Sequence, residues 1–208
     1  MRDHHNLLPS TLHGLSLLSQ HSELDTEQLE IILNKIQTEV MVQQQVVRDR
    51  STVFLMLSRM LTEKLEIVKK VSTLFTMTLI QAADNETDPR NLLVIFNMKL
   101  SVLNLLPVEH HYEDIFDSLS VYFPVDFTPP SGVVASVTKQ QLQASLRAAI
   151  SHHTLQEWSL DLIMEKLESD LESAKIDSLE TLAEICSKSE PVMHTDEVVS
   201  FRICVVIV

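Results

Sequence analysis

The chain has 208 residues, of which 45% are hydrophobic and only 5% aromatic, so it can bury a large and mainly aliphatic core. Its two glycines, Gly14 and Gly132, argue against phosphate-cradling loops, dinucleotide-binding turns and series of tight hairpins, because these architectures depend on glycine. The formal net charge of −13 disfavours direct binding to nucleic acid, and two cysteines alone provide neither a four-thiolate metal site nor a disulfide framework.

Neither a secretion signal nor a membrane span is expected. The first residues lack the apolar core of a signal peptide. The longest apolar run, residues 198–208, is interrupted by Ser200 and Arg202 and is shorter than the roughly 20 residues that a transmembrane helix needs. We therefore expect no membrane partner and a location in the cytoplasm or the nucleus.

Helical periodicity dominates the chain up to residue 188. Asp25 is the predicted N-cap of a helix, with Gln28 completing a capping box. The same spacing of apolar residues predicts further helices over residues 46–61, 65–79, 92–106, 109–122, 139–152, 155–168 and 174–187. The predicted N-caps of four of these helices are Asp88, with Pro89 at the first helical position, and Thr138, Thr154 and Ser173.

The predicted helices pair into a repeating pattern. The first helix of each pair begins near one of these residues: Thr26, Leu65, Glu109 and Leu155. This interval of about 40–45 residues is typical of HEAT and armadillo repeats. We therefore predict an all-α, HEAT-like or armadillo-type solenoid of antiparallel helix hairpins, with about four helix pairs over residues 1–188. A single, non-repeating helical bundle is the alternative.

Two features of this array carry structural predictions. In stacked repeats, an acid at a turn and a base on the following inner helix can form a ladder between neighbouring units. We assign this structural role to the turn Asp88-Pro89-Arg90. Residues 189–208 are rich in β-branched side chains, so we expect a non-helical apolar tail that is strand-like or disordered.

One internal segment cannot be helical, because three prolines interrupt residues 123–132. Phe123 and Phe127 either fold back over the core between adjacent helices or form part of a stiffened loop that binds a partner. Such a loop would lose little conformational entropy on binding. The candidate partner-binding residues of the second interpretation are Phe123, Pro124, Asp126, Phe127, Thr128, Pro129 and Pro130.

Signals for catalysis are weak. Glu109, His110, His111 and Glu113 form the best candidate metal site, although acids near a solvated helix start explain the same pattern. A metal-dependent hydrolase is therefore kept as an alternative to a protein without enzymatic activity, metal or cofactor. Cys186 lies near the end of an amphipathic helix and is expected to be a small buried hydrophobe rather than a nucleophile.

Two segments resemble a known family: residues 88–94, Asp-Pro-Arg-Asn-Leu-Leu-Val, and residues 122–130, Tyr-Phe-Pro-Val-Asp-Phe-Thr-Pro-Pro. Residues 142–148 and 174–179 agree with it in order and spacing. Over residues 2–188 the chain resembles the N-terminal region of the Mms-nineteen family. Members of that family are long HEAT-repeat adaptors of the cytosolic iron–sulfur assembly targeting complex.

The resemblance implies a non-enzymatic scaffold that brings apo-proteins of DNA repair, replication and transcription to the assembly machinery. The implied partners are iron–sulfur client proteins, such as repair helicases, and the targeting complex itself. The implied locations are the cytoplasm, the nucleus and the mitotic spindle. Because family members are several times longer, the chain looks like a truncated fragment. An inert or dominant-negative client-binding fragment is therefore a further hypothesis.

Overall fold

A computed structural model describes residues 14, 15, 17, 24–128 and 136–188. Every regular element within these ranges is helical, which confirms the predicted all-α fold class. The α-helices include α1 (Thr26–Lys35), α2 (Val47–Glu63), α3 (Leu65–Lys70), α4 (Ser72–Ala83), α5 (Pro89–Leu105), α6 (Tyr112–Ser120), α7 (Lys139–Ile150), α8 (Gln156–Leu167) and α9 (Glu172–Lys188). A π-helical turn, Ile36–Val40, and the 3₁₀ turns Val42–Gln44, Glu109–His111 and His153–Leu155 lie between them. Pro129, Pro130 and the predicted tail 189–208 lie outside the described residues, so the boundaries of the predicted array stay predictions.

The helices form two layers that both follow chain order. In one layer α1 contacts α4, α4 contacts α6, and α6 contacts α8. In the other layer α2 contacts α5, α5 contacts α7, and α7 contacts α9. Contacts across the layers join α4 to α5, α6 to α7 and α8 to α9, while the short α3 packs between α1, α2 and α4. Two-helix units stacked in this way form the predicted α-solenoid.

Polar side chains show the direction of stacking in the second layer. Gln143 of α7 donates to Asp177 of α9 at 2.7 Å, and Arg147, one turn further along α7, pairs with Glu180. Residue numbers rise together on both helices, so α7 and α9 run parallel. The intervening α8 must reverse direction, which gives the antiparallel hairpins expected from the sequence.

The core runs along the contact between the layers. Phe54, Phe75 and Phe96 are each at most 1% exposed and come from two successive units of the stack, Phe54 from α2 and the other two from α4 and α5. A smaller apolar cluster around Ile163, Leu182 and Ile185 lies between α8 and α9. Burial of such side chains stabilises each by about 1.5–3 kcal/mol relative to exposure. No helix in the described ranges is long and apolar enough to cross a bilayer.

Two capping boxes are present, one of them predicted as such and the other at the predicted N-cap Thr138. The Asp25 carboxylate accepts a hydrogen bond from the Gln28 backbone N–H at 2.8 Å, and the Gln28 side chain accepts one from the Asp25 N–H at 3.2 Å. Thr138 and Gln141 make the same reciprocal pair at the start of α7. Each box satisfies backbone donors that helix geometry leaves unpaired, so both helices begin where the sequence predicts.

The single helix predicted over residues 65–79 is wrong. The structure divides it into α3 and α4 at Val71, where φ is −120° and ψ is 29°. The Val71 N–H donates to Val68, three residues back, which tightens the last turn of α3 and redirects the chain. Apolar periodicity continues across this break, so the pattern contains no signal of it.

The predicted caps Thr154 and Ser173 are also wrong. His152 takes the capping position before a 3₁₀ turn, His153–Leu155, and its ring Nδ1 accepts a hydrogen bond from the Thr154 backbone N–H at 3.4 Å. The Thr154 hydroxyl lies 2.8 Å from the same nitrogen. Ser173 lies inside α9, which begins one residue earlier at Glu172.

This cap makes the protein sensitive to acid. Burial, followed by the positive charges of His153 and Lys188, lowers the pKa of His152 to about 4 from its ordinary 6.5. The folded state therefore binds a proton less readily than the unfolded state, and the stability present above pH 6.5 is lost as the pH falls towards 4. We expect a loss of about 2 kcal/mol near pH 5 relative to neutral pH.

Urea unfolding of the wild type and of His152→Asn at the two pH values measures this loss. Asparagine keeps a capping acceptor but does not titrate, so the variant should lose less stability on acidification than the wild type. Equal losses in both proteins would show that His152 is not the titrating group.

Candidate partner-binding groove

The turn between α4 and α5 is built around the buried carboxylate of Glu86, which is 1% exposed. Arg50 of α2 donates to it through Nε at 2.8 Å and through Nη2 at 2.7 Å. The backbone N–H groups of Thr87 and Asp88 and the side-chain amide of Asn91 each donate at 2.9 Å. Protein donors therefore satisfy the hydrogen-bonding capacity of this carboxylate.

Electrostatics favour the ionised form of this pair. Burial by itself raises the pKa of Glu86, but hydrogen bonds, led by that from Arg50, outweigh it and hold the pKa below its usual value. The hydrogen bond to Glu86 in turn raises the pKa of Arg50. The two side chains thus form a lasting ion pair between α2 and the following turn.

The turn Asp88-Pro89-Arg90 begins α5. Asp88 is the N-cap and accepts from the Arg90 backbone N–H at 3.0 Å, and Pro89 takes the first helical position. The Arg90 guanidinium binds the same Asp88 carboxylate at 3.0 and 2.7 Å. Arg90 therefore pairs within its own turn, and the ion pair that joins neighbouring units here is Arg50–Glu86.

Tyr122 fixes the end of α6 to the same turn. Its hydroxyl donates to the backbone oxygen of Glu86 at 3.1 Å, and its ring meets Phe96 edge to face with centroids 5.5 Å apart. Burial, followed by the nearby carboxylates of Glu86 and Asp84, raises the pKa of Tyr122 to about 12. The hydroxyl therefore remains a hydrogen-bond donor at all physiological pH values.

A lysine lies buried beside this turn. The Lys99 side chain of α5 is 1% exposed, and its Nζ donates to the Ser118 carbonyl at 2.8 Å. Burial lowers its pKa to about 7, although the charge of Asp84 opposes the shift. Ile95, four residues before Lys99, and Val102, three residues after it, are also buried. The sequence signal for a buried lysine was therefore its position on the apolar stripe of the helix.

A groove of about 670 Å³, here called the acidic groove, lies between the C-terminal ends of α4 and α6 and is bordered by Lys99. Its rim carries the exposed carboxylates Asp84 and Asp117. Its apolar wall includes Ile80 and Val121, and Val121 is 76% exposed. Helix C-termini carry negative partial charge, so the helix ends and the two carboxylates all favour a cation in this groove.

The loop 123–128 turns its aromatic side chains inwards. Phe123 and Val125 are buried, and Phe127 is half-buried against the core, as in the core-covering interpretation of the sequence. Asp126 and Thr128 are exposed. A second cavity of about 200 Å³ lies beneath this loop, with Pro124, Asp126 and Phe127 in its wall, and it shares its Thr87, Val121 and Tyr122 border with the acidic groove.

The candidate metal site does not assemble. Glu109, His110 and His111 form a 3₁₀ turn, and His111 lies 3.2 Å from Asp114 through Nδ1. Among the described residues no three His, Cys, Asp or Glu side chains are placed to hold a metal ion. The prediction for Cys186 is also wrong, since this residue is exposed on the outer side of α9.

Comparison with known proteins places the chain in a family. The family model described as "Dos2-interacting transcription regulator of RNA-Pol-II" matches residues 1–201. The chain is 36% identical over 189 residues to the "MMS19 nucleotide excision repair protein homolog" of Xenopus tropicalis and to that of Homo sapiens, covering 90% of this chain and 18% of each relative. It is 31% identical over 202 residues to the "MMS19 nucleotide excision repair protein" of Drosophila melanogaster, covering 95% and 21%.

The chain thus spans about a fifth of the length of the curated relatives that it matches. The matched region includes both segments that carried the resemblance, residues 88–94 and 122–130. The match over residues 1–201 shows that the chain belongs to the family of Dos2-interacting transcription regulators of RNA polymerase II, which includes the MMS19 proteins.

Proposed function

We propose that this chain acts as a non-enzymatic scaffold that holds client proteins of DNA repair, replication and transcription for the cytosolic iron–sulfur assembly machinery. The observation that carries the proposal is the family match over residues 1–201. Relatives that bear the name "nucleotide excision repair protein homolog" support repair proteins as the clients of this chain.

The fold suits a positioning role. Stacked two-helix units expose a long surface without closing around one pocket, so a partner can contact several units at once. The net charge of −13 favours partners with basic surface patches and repels the phosphates of nucleic acid. In this mechanism the chain makes and breaks no covalent bond, and its contribution is the orientation of two other proteins.

The proposed partners are iron–sulfur proteins, such as repair helicases, and the targeting complex that supplies their clusters. Two proposed locations follow from these partners: the cytoplasm, where clusters are assembled, and the nucleus, where repair proteins act. The mitotic spindle is proposed from the family resemblance alone. Neither a direct nucleic-acid partner nor a membrane partner is part of the proposal.

A second candidate function is that of a client-binding segment without delivery. The matched residues correspond to 18% of the vertebrate relatives, and delivery would then depend on contacts made elsewhere in such proteins. In this case the chain binds clients but does not deliver them, and it acts as an inert or dominant-negative fragment. Co-purification with the assembly complex separates the two functions, because only a delivering scaffold should bring the complex down.

A pull-down with a purified, cluster-free repair helicase tests the scaffold directly. We expect the immobilised chain to capture the helicase more strongly than an unrelated helical-repeat protein of the same length and net charge. At physiological ionic strength, salt screens attraction between exposed charges that are more than about 8 Å apart. Capture should persist there, because the two surfaces are in direct contact. Equal capture by the two proteins would contradict the proposal.

A further inference from the structure

We infer that the acidic groove between α4 and α6 binds an extended peptide segment of a client protein, in which an apolar side chain stands two residues after a basic one. This inference rests on the proposed scaffold function and adds the chemistry of the partner. Two features of the groove, its acidic rim and its apolar wall, support it.

The rim selects a basic side chain. Asp84 and Asp117 are exposed at the C-terminal ends of α4 and α6, and no salt bridge joins either of them to another described residue. The Asn85 side-chain amide donates to Asp84 at 2.9 Å, which leaves the carboxylate charged and open to a cation. The third nearby carboxylate, Glu86, is unavailable because Arg50 and the turn backbone already satisfy it. A lysine or arginine entering the groove meets two carboxylates and the negative ends of two helices, an arrangement that complements its charge.

The buried lysine beside the groove does not prevent a basic side chain from binding. Lys99 is 1% exposed, and its Nζ donates to the Ser118 carbonyl at 2.8 Å. Burial lowers its pKa to about 7, so above neutral pH most of this lysine is uncharged and repels a basic peptide side chain only weakly.

The apolar wall accounts for an apolar side chain near the basic one. Val121 is 76% exposed although it lies between the acidic groove and the cavity beneath the loop 123–128. Successive side chains of an extended peptide point to opposite faces, so the side chain two positions after the basic one faces the same groove and its wall of Val121 and Ile80. Burial of this side chain adds affinity that a simple cation would lack.

A fluorescein-labelled peptide that repeats the unit Lys-Ser-Leu-Ser serves as the probe, with anisotropy as the readout, because lysine and leucine then share one face of the extended chain. We expect saturable binding in the micromolar range, and no binding of a peptide in which glutamate replaces lysine. In the groove variant, Asp84→Lys combined with Asp117→Lys, affinity should fall by about tenfold or more. Lys99→Met should change the affinity at pH 8 by no more than about twofold, because this side chain is buried and mostly uncharged there.

The matched control combines Glu113→Lys with Asp161→Lys. Both of these carboxylates are exposed and lie outside the acidic groove, so the control changes the net charge by the same amount. Its affinity should stay within about twofold of the wild type. Thermal melts by circular dichroism verify that each variant is folded. Equal weakening in the groove and control variants, or an absence of wild-type binding at about 1 mM peptide, would overturn the inference.

Helicase capture by the same variants separates this inference from the scaffold proposal. If the wild type and the groove variant capture the helicase equally, the acidic groove is not the client site and the scaffold stands. If the wild type captures no helicase, the scaffold proposal fails, and the peptide titration still decides what the groove binds. Loss of capture in the groove variant alone supports both.

Discussion

Replacing Glu86 with alanine is expected to lower the free energy of unfolding by about 3–5 kcal/mol, because the substitution leaves Arg50 partly buried without its partner. The Arg50 side chain is 15% exposed, so water solvates it only in part. The same change removes the acceptor used by the N–H groups of Thr87 and Asp88 and by the Asn91 amide. For a chain of this size the melting temperature should fall by about 6–20 °C.

Arg90→Ala is the control, since the Arg90 side chain is 60% exposed to water, against 15% for Arg50. Its melting temperature should fall much less than that of Glu86→Ala. In the double variant Arg50→Met with Glu86→Leu, part of the lost stability should return, because no unpaired charge remains. Recovery should be incomplete, since the turn N–H groups still lack an acceptor. Similar losses in Glu86→Ala and Arg90→Ala would contradict this account of the turn.

Lys99→Met is expected to stabilise the protein below neutral pH, an unusual result for a change in a buried hydrogen-bonded residue. Burial lowers the pKa of Lys99 to about 7, against an ordinary value of 10.5. Between these values the unfolded state holds a proton that the folded state lacks, so the stability of the wild type rises with pH. Near pH 6 the variant should be more stable by about 2–4 kcal/mol, after allowance for the lost bond to Ser118.

Urea unfolding from pH 6 to pH 10 measures this difference, which should shrink steadily as the pH rises. Asp84, Asp117 and Tyr122 border the same groove and are present in both proteins, so their titration largely cancels in the comparison. Lys175→Met is the control, because Lys175 is exposed on α9, and its pH dependence should follow that of the wild type. A constant difference between Lys99→Met and the wild type would show that Lys99 stays charged throughout.

Features that depend on a few adjacent residues could be predicted from the sequence. The capping positions of Asp25, Asp88 and Thr138 are correct, because each side chain bonds to backbone two or three residues away. The spacing of the helix starts led to the solenoid class, since stacked units of similar size repeat their apolar pattern. The loop 123–128 was recognised as non-helical because proline excludes a helix whatever surrounds it.

Features that depend on distant residues could not be predicted in the same way. Glu86 is one of several acids in the turn before α5, and only its contact with Arg50, 36 residues earlier, distinguishes it from the exposed ones. The break at Val71 depends on how α3 and α4 pack against other helices, and the apolar pattern is continuous there. The acidic groove joins α4, α5 and α6, so no single stretch of sequence contains it.

The turn around Glu86 is bonded on both sides, to Arg50 of the preceding helix pair and to Tyr122 at the end of the following α6. In a stacked-repeat protein each unit touches only its neighbours, so the array bends at the junctions between units. Bending at either of these two junctions would have to stretch the Arg50–Glu86 ion pair or the hydrogen bond of the Tyr122 hydroxyl. Gln143 and Arg147 join α7 to α9 in the same way, so the curvature of the described units should change little when a partner binds.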